Sequence, residues 1–474
     1  MRKNVVVSYV EGLFGQITAG ETYTKILSYF YPEFVSALVL YSLLYLLDAR
    51  FIAGLKSTSM YATLGISNTF LNFVVKSAEA VALSITVLCG QLNGSDQKHE
   101  VGRAFVEAFW LIVFVGACFA AFLFFGAYYI YLFLGVPEKM IFLGTPFLRV
   151  RAVGFFFMFI YLACVSLMRA VKDTRTPMVI FVIGAALFIF FDYVLIFGSF
   201  GMPVLGLIGS AWASVIQYGS MVVLALACIL LGSYKKKYSI DLFADIFRGE
   251  YFLRIVSLSW PMVIDKATIA LAYIWLGKMI APMGKYALAS FTVIKDIERF
   301  AFLPAVAMAQ IITFLVSNDF GKKNWQGIAA NIKKVVFLSS IMVFALLLVF
   351  SICPGTFIRI FDQKGMFTAF SAHIFPFLSL FVTFDLLQLV LAAALRGAGD
   401  VRLVMWTRVL VCGGFLCPLT YYVSALAPIT DPMLKFLIIY ATFYVGSGIM
   451  SMIYIHQFRT GKWSKRVEQK SEPL

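Results

Sequence analysis

Residues 167–178 read LMRAVKDTRTPM and residues 394–405 read ALRGAGDVRLVM. At an offset of 227 positions, Arg169 falls on Arg396, Asp173 on Asp400, Arg175 on Arg402 and Met178 on Met405. A second pair of segments shares that offset. SITVLCGQLNG (84–94) falls on IITFLVSNDFG (311–321), with Thr86 on Thr313, Leu88 on Leu315 and Gly94 on Gly321. Two motifs with one offset mark a duplicated chain.

The composition places both copies in a membrane. Hydrophobic residues make up 61% of the chain and charged residues 13%, where a soluble domain is roughly half apolar and about a quarter charged. Apolar runs long enough to cross a hydrocarbon core of about 30 Å recur along the whole length. Each has to be helical, because lipid cannot satisfy open backbone groups. Internal repeats in such a chain are typical of secondary transporters. Twelve spans are expected: 26–48, 60–90, 104–134, 141–170, 176–198 and 204–231, then 252–281, 286–317, 331–353, 368–396, 402–426 and 432–458. The resulting division is an amino-terminal segment 1–25, a lobe 26–232, a polar linker 233–250, a second lobe 251–459 and a tail 460–474. The fold class is therefore all-α membrane protein, two six-helix bundles related by a pseudo-two-fold axis. Superposing them should bring Asp173 near Asp400 and Gln91 near Asn318.

Basic residues set the expected orientation. Lys235, Lys236, Lys237, Arg248 and Arg254 surround the linker, and Arg459, Lys462, Lys465, Arg466 and Lys470 crowd the tail. Segments 199–203 and 427–431 carry none. The positive-inside rule then puts both termini in the cytoplasm of a multi-pass protein of the cell membrane. The net charge of +15 is this bias spread over loops, with no nucleic-acid-binding module. The seven cysteines show no zinc-type spacing. No Walker loop, nucleotide fingerprint or nucleophile elbow appears, so neither ATP hydrolysis nor enzymatic chemistry is expected.

A charge in hydrocarbon is costly, so each one inside a span is a functional candidate. Asp48 and Asp192 reach similar depths in the first lobe at about 1.5 Å per helical residue. Two carboxylates close together in a desolvated site cannot both ionise easily, so the pair can take a proton or hold Na⁺. Asp385 lies near mid-span in the second lobe, with Gln388 on the same face. Asp265 and Lys266 sit in the seventh span. Lys76 and Glu79 are three residues apart and can pair on one face, and Glu298 lies in a mixed cluster with Lys295, Asp296 and Arg299. The repeated Arg169/Asp173/Arg175 and Arg396/Asp400/Arg402 turns read as structural. Asp173 can cap the next helix, and Arg169 and Arg396 can hold helix carbonyls and lipid phosphates.

The same residues carry a family likeness. LMRAVKDTRTPM, then DYVLIFG (192–198), GLIGSAWAS (206–214) and GQLNGSDQKHEVGRA (90–104) resemble the multidrug and toxic compound extrusion (MATE) family of the MOP flippase superfamily. Asp385 and Gln388 before Leu395-Arg396-Gly397 look like the helix-ten motif of its NorM-type branch. The resemblance implies a V of two bundles around a central cavity. It implies export of small organic molecules in exchange for H⁺ or Na⁺ by alternating access, without a cofactor. It places a cation site at Asp48, Asp192 and Ser214, with Asp385 as a second candidate, and lines the substrate cavity with Lys76, Glu79, Asp265, Lys266, Glu298 and Gln388. Phe188 stands where the family often has Asn, one turn before Asp192, which removes an oxygen ligand and favours H⁺ over Na⁺. Ile269 stands where the branch has an acid two turns after the helix-seven proline, here Pro261. The expected partners are a small-molecule substrate and the lipid bilayer, with no nucleic acid, and a monomer is expected. A lipid-linked oligosaccharide flippase of the same superfamily is the competing reading. A membrane-embedded enzyme lacks its clustered nucleophile or metal site, and a channel does not call for duplicated lobes.

Orientation is directly testable. With Lys236→Cys in a cysteine-free background, an impermeant maleimide added outside intact cells should leave the thiol unlabelled, and permeabilisation should expose it.

Overall fold

The described residues are almost all helical, with no strand among them, so their backbone groups are paired within helices. The computed structural model describes residues 19–39, 43–243, 249–359, 362 and 365–461. In chain order the helices are α1 (Tyr23–Leu38), α2 (Leu44–Gly54), α3 (Thr58–Gly94), α4 (Lys98–Phe133), α5 (Glu138–Ala170), α6 (Arg175–Phe197), α7 (Leu207–Leu231) and α8 (Ser233–Tyr238). Then follow α9 (Phe252–Ile280), α10 (Lys285–Ala301), α11 (Leu303–Gly321), α12 (Trp325–Ile352), α13 (Pro354–Arg359), α14 (Thr368–Ala398), α15 (Val401–Val411) and α16 (Pro432–Thr460). Two π-helical turns, Cys412–Leu416 and Tyr422–Leu426, carry α15 onward.

Eleven helices among the described residues are long and apolar enough to cross a bilayer, counting α15 with its continuation to Leu426. They match eleven of the expected spans. The other, 26–48, is shared by α1 and α2, and its residues 40–42 lie outside the described residues. The span expected over 286–317 is two helices, α10 and α11, joined at Phe302. Pro304 sits in the first turn of α11, where a missing N–H breaks no helix bond. Several helices outrun their apolar runs because polar residues can start them in water. Ser57 Oγ accepts from Met60 N at 3.4 Å to begin α3, and Asn324 Oδ1 accepts from Gly327 N at 3.0 Å to begin α12.

The duplication reappears as duplicated hydrogen bonds. Thr86 Oγ1 donates to Ser166 O at 3.2 Å, and Thr313 Oγ1 donates to Ala393 O at 3.2 Å. Asp173 N donates to Met168 O and Asp400 N to Leu395 O. Left-handed backbone recurs at Asp96 and Lys323, and again at Lys172 and Gly399. Packing repeats as well: α5 is wrapped by α3, α4 and α7, and α14 by α11, α12 and α16.

The repeated turn motifs serve as structural pins. Asp173 Oδ1 accepts from Arg175 N and Thr176 N at 3.1 Å each, capping α6, and its other oxygen takes the Tyr234 hydroxyl. Asp400 takes Gln457 Nε2 at 3.0 Å. Arg169 has a partner that was not expected. Its guanidinium meets the buried Glu33 with two bonds of 2.7 Å, because a planar fork fits a carboxylate better than it fits a carbonyl.

The chain forms two compact units. One is Pro32–Ala267, and the other joins the segment ending at Tyr31 to the chain from Thr268 on. Each unit anchors an incoming strand of chain on an equivalent helix. In the first, Glu107 on α4 is buried and accepts from Tyr251 N and Phe252 N at 2.9 Å, the start of α9. In the second, the matching residue of α12 is Lys334, whose Nζ donates to Ala19 O at 3.0 Å and Glu21 O at 2.8 Å, ahead of α1. Asn331 Oδ1 accepts from Glu21 N beside it.

Lys172 holds φ at 65° where its repeat partner Gly399 holds 90°. A side chain pays about 1 kcal/mol there that glycine does not. Lys172→Gly should therefore stabilise the detergent-purified protein and Gly399→Ala destabilise it, read as opposite shifts of the unfolding midpoint.

Candidate functional site

Four helices of the first unit build a polar layer. Asp48 on α2 and Asp192 on α6 are both buried, Asp192 completely. Ser210 Oγ on α7 donates to Asp48 Oδ1 at 2.7 Å. Neither carboxylate oxygen of Asp192 has a hydrogen-bond partner within 3.5 Å among the described residues, although the Ser210 hydroxyl is near both acids. Arg151 on α5 lies within electrostatic reach of both acids, yet its buried Nη1 is also unpartnered there. Gly209 brings α7 this close: a Cβ at that position would lie 2.6 Å from Leu195 O of α6.

One turn from this layer the same four helices make an apolar plug. Ile52 follows Asp48, Ile196 follows Asp192, Phe147 precedes Arg151, and Leu207 precedes Ser210, and these four pack together with Leu64 and Ala211. Phe147 also stacks under the Arg151 guanidinium, 5.8 Å from its ring centre. The plug removes water from one side of the acids. A desolvated carboxylate without a donor needs a proton or a cation. The layer therefore offers a place for one positive charge.

Ser214, expected as the hydroxyl of this site, lies one turn along α7 and donates to Ala211 O of its own helix at 2.7 Å. Ser210 and Arg151 were not singled out from sequence. Both signals were present: Ser210 and Ser214 are four apart on one helix face, and Arg151 is a charge inside an expected span. Lys76 and Glu79 do pair, at 2.8 Å, on a partly exposed face of α3. Asp265 is buried and Lys266 half-buried on α9 in this same unit.

The second unit holds a different cluster. Glu298 on α10 is buried and takes the Tyr440 hydroxyl of α16. Tyr273, Phe443 and Tyr444 surround it, with Tyr273 and Phe443 ring centres 5.0 Å apart and Tyr440 and Tyr444 5.7 Å apart. Lys295 Nζ lies 5.9 Å over the Tyr273 ring and 5.5 Å over Phe291. Asp385 on α14 accepts from Ser447 Oγ at 2.9 Å, with Arg408 of α15 in electrostatic reach. Gln388, one turn on, is buried. Carboxylates, a lysine and several tyrosines within one helix group suit an amphipathic organic molecule better than a bare inorganic ion.

A duplicated bundle of membrane helices with buried acids defines the class as a secondary transporter. The MatE family model matches residues 34–194 and 261–422, so the chain belongs to the MATE family of transporters and is not an enzyme. It is 25% identical over 402 residues to the multidrug resistance protein MdtK of Photorhabdus laumondii, covering 79% of this chain and 84% of that one. It is 24% identical over 367 residues to the probable multidrug resistance protein NorM of Thermotoga maritima, covering 76% and 77%. In fold it is similar to an outward-facing multidrug resistance MATE transporter of the MOP superfamily, with a TM-score of 0.83 at 16% identity over 97% of this chain and 98% of that one. A Pyrococcus furiosus MOP-superfamily transporter described as having a binding pocket of reverse polarity matches with the same TM-score and identity, over 94% and 97%. The all-α multi-pass architecture and the transport of small molecules follow from this membership.

Ser210→Ala would leave Asp48 Oδ1 buried without its donor, at a cost of about 1–3 kcal/mol. Ser214→Ala removes only a bond within one helix. Ser210→Ala should lower the unfolding midpoint of the purified protein clearly more than Ser214→Ala.

Proposed function

We propose that the protein is a secondary active antiporter of the cell membrane that exports small organic molecules in exchange for H⁺ by alternating access. The observation that carries this reading is Asp192: fully buried, beside Asp48, with both oxygens unpartnered among the described residues. A proton arriving at Asp192 removes one charge from the layer, and its departure to the other side of the membrane restores the pair. Few oxygens stand ready for Na⁺. Ser210 is committed to Asp48, and Phe188, one turn before Asp192, brings a buried ring in place of an oxygen. Asp385, with its Ser447 donor, is the competing ion site in the second unit. The Glu298 cluster supports the role of substrate contact, for a molecule with an aromatic or cationic part. The lobes 26–232 and 251–459, working as a monomer with both termini cytoplasmic, complete the proposal. The names of the relatives support multidrug export as the kind of cargo.

The test is transport by protein reconstituted in liposomes, driven separately by imposed H⁺ and Na⁺ gradients against cations, zwitterions and lipid-linked sugars. The pH gradient should drive export of a small organic molecule better than the Na⁺ gradient. Asp192→Asn keeps the size and shape of the side chain and removes a buried charge, so it should fold normally and lose gradient-driven transport by about 100-fold or more, since it cannot carry the proton. Phe188→Asn should raise the Na⁺ response. Na⁺-driven uptake at zero pH gradient that disappears in Asp385→Asn would move the site to the second unit, and movement of lipid-linked sugar alone would make the protein a flippase.

A further inference from the structure

We propose that Arg151 is the ion-selectivity residue of the Asp48–Asp192 layer, a tethered cation that competes with Na⁺ for the carboxylate oxygens and leaves H⁺ as the exchanged ion. The inference rests on the reading that this acid pair carries the coupling ion. It starts from buried atoms of opposite charge that lack partners: both oxygens of the buried Asp192 and one nitrogen of the half-buried Arg151. Both oxygens of Asp192 and Nη1 of Arg151 lack hydrogen bonds among the described residues, and Arg151 makes no ion pair within 4.0 Å there. The arginine is nonetheless in electrostatic reach of both Asp48 and Asp192. Phe147, one turn earlier on α5, is fully buried in the plug, and the guanidinium lies over its ring at 5.8 Å from the centre. Tyr218 on α7 is also in its reach and in turn interacts with Glu79 of the Lys76–Glu79 pair.

Ligand counting gives the selectivity. Na⁺ needs several oxygens at once. The layer offers four carboxylate oxygens, of which Asp48 Oδ1 already serves Ser210. A guanidinium presents five N–H donors in a fixed fork and matches a carboxylate with two parallel bonds. Arg151 can therefore engage Asp192 when the layer lacks its exchanged cation. A metal must displace that fork and then sit beside its charge. A proton needs one lone pair on one oxygen and leaves the other oxygens to the arginine. With both acids ionised and Arg151 charged, the layer carries one net negative charge, which a single proton cancels.

The experiment reads Na⁺ binding without transport. The unfolding midpoint of detergent-purified protein is followed as NaCl replaces choline chloride at constant ionic strength. Wild type should show no Na⁺-specific rise. Arg151→Gln should gain one, equivalent to at least about tenfold tighter Na⁺ binding, in the range usual for coupled sites. Arg151→Lys keeps the charge and should behave closer to wild type, and Arg151→Gln combined with Asp192→Asn should lose the gain. A Na⁺-specific rise in wild type overturns the proposal whatever the variants do, and so does a folded Arg151→Gln with none. Should Arg151→Gln fail to fold, wild type and Arg151→Lys decide: a Na⁺ response in either one overturns it, and its absence in both upholds it. Failure of the underlying reading looks different, because Asp192→Asn would then transport normally in the liposome assay.

Discussion

A carboxylate shut inside apolar helices with no donor is among the least tolerable groups a protein can keep, and the first unit is arranged around one. Burying an uncompensated charge costs several kcal/mol or more. Asp192 has no hydrogen bond among the described residues, while Asp48 beside it has one, from Ser210. The close approach of α7 to α6 at Gly209, the plug of Ile52, Phe147, Ile196 and Leu207, and the arginine held over Phe147 all bear on that one side chain. Remove the plug and water would relieve Asp192 from the wrong side. Without the arginine, the layer would keep two negative charges that one proton cannot cancel.

The second unit handles its acids by a different chemistry. Asp385 and Glu298 each take a hydroxyl, from Ser447 and Tyr440. Its rings gather around Glu298, with Lys295 lying across two of them. Glu298 keeps one buried oxygen, Oε1, without a partner among the described residues, so the aromatic wall rather than full satisfaction of the acid sets this cluster apart. The two units thus share a backbone plan but surround their buried acids differently: an apolar plug beside Asp48 and Asp192, and aromatic rings around Glu298.

Fold and site were legible in the sequence to unequal degrees. Span positions came through because hydrocarbon leaves the chain few options, and the repeat came through because turn residues such as Asp173 and Asp400 have fixed local jobs. The break at Phe302 was hidden, since Pro304 in an apolar run can kink a helix or start one. Asp48 and Asp192 stood out as charges in spans. Glu33, Glu107, Arg151, Lys334 and Arg408 obey the same rule and were not singled out; Glu107 and Lys334 lie just inside a span end, where solvent is an easy explanation. Partner choice was illegible for a further reason. That Ser210 rather than Ser214 reaches Asp48 depends on the rotation of α7, which Gly209 sets through a contact with α6 that no local pattern reveals.

Glu107 and Lys334 occupy the same place in the two copies and carry opposite charge. One accepts the N–H groups of Tyr251 and Phe252, and the other donates to the carbonyls of Ala19 and Glu21. The incoming chain thus presents opposite ends of its peptide dipoles to the two anchors. The halves are consequently no longer spare parts for each other. A protein assembled from two copies of the first half would set a carboxylate against carbonyl oxygens at the second anchor, and two copies of the other half would set an ammonium against N–H groups. Ancestry as a symmetric pair remains readable in the hydrogen bonds of Thr86 and Thr313, but a return to that symmetry is closed by a single inverted charge.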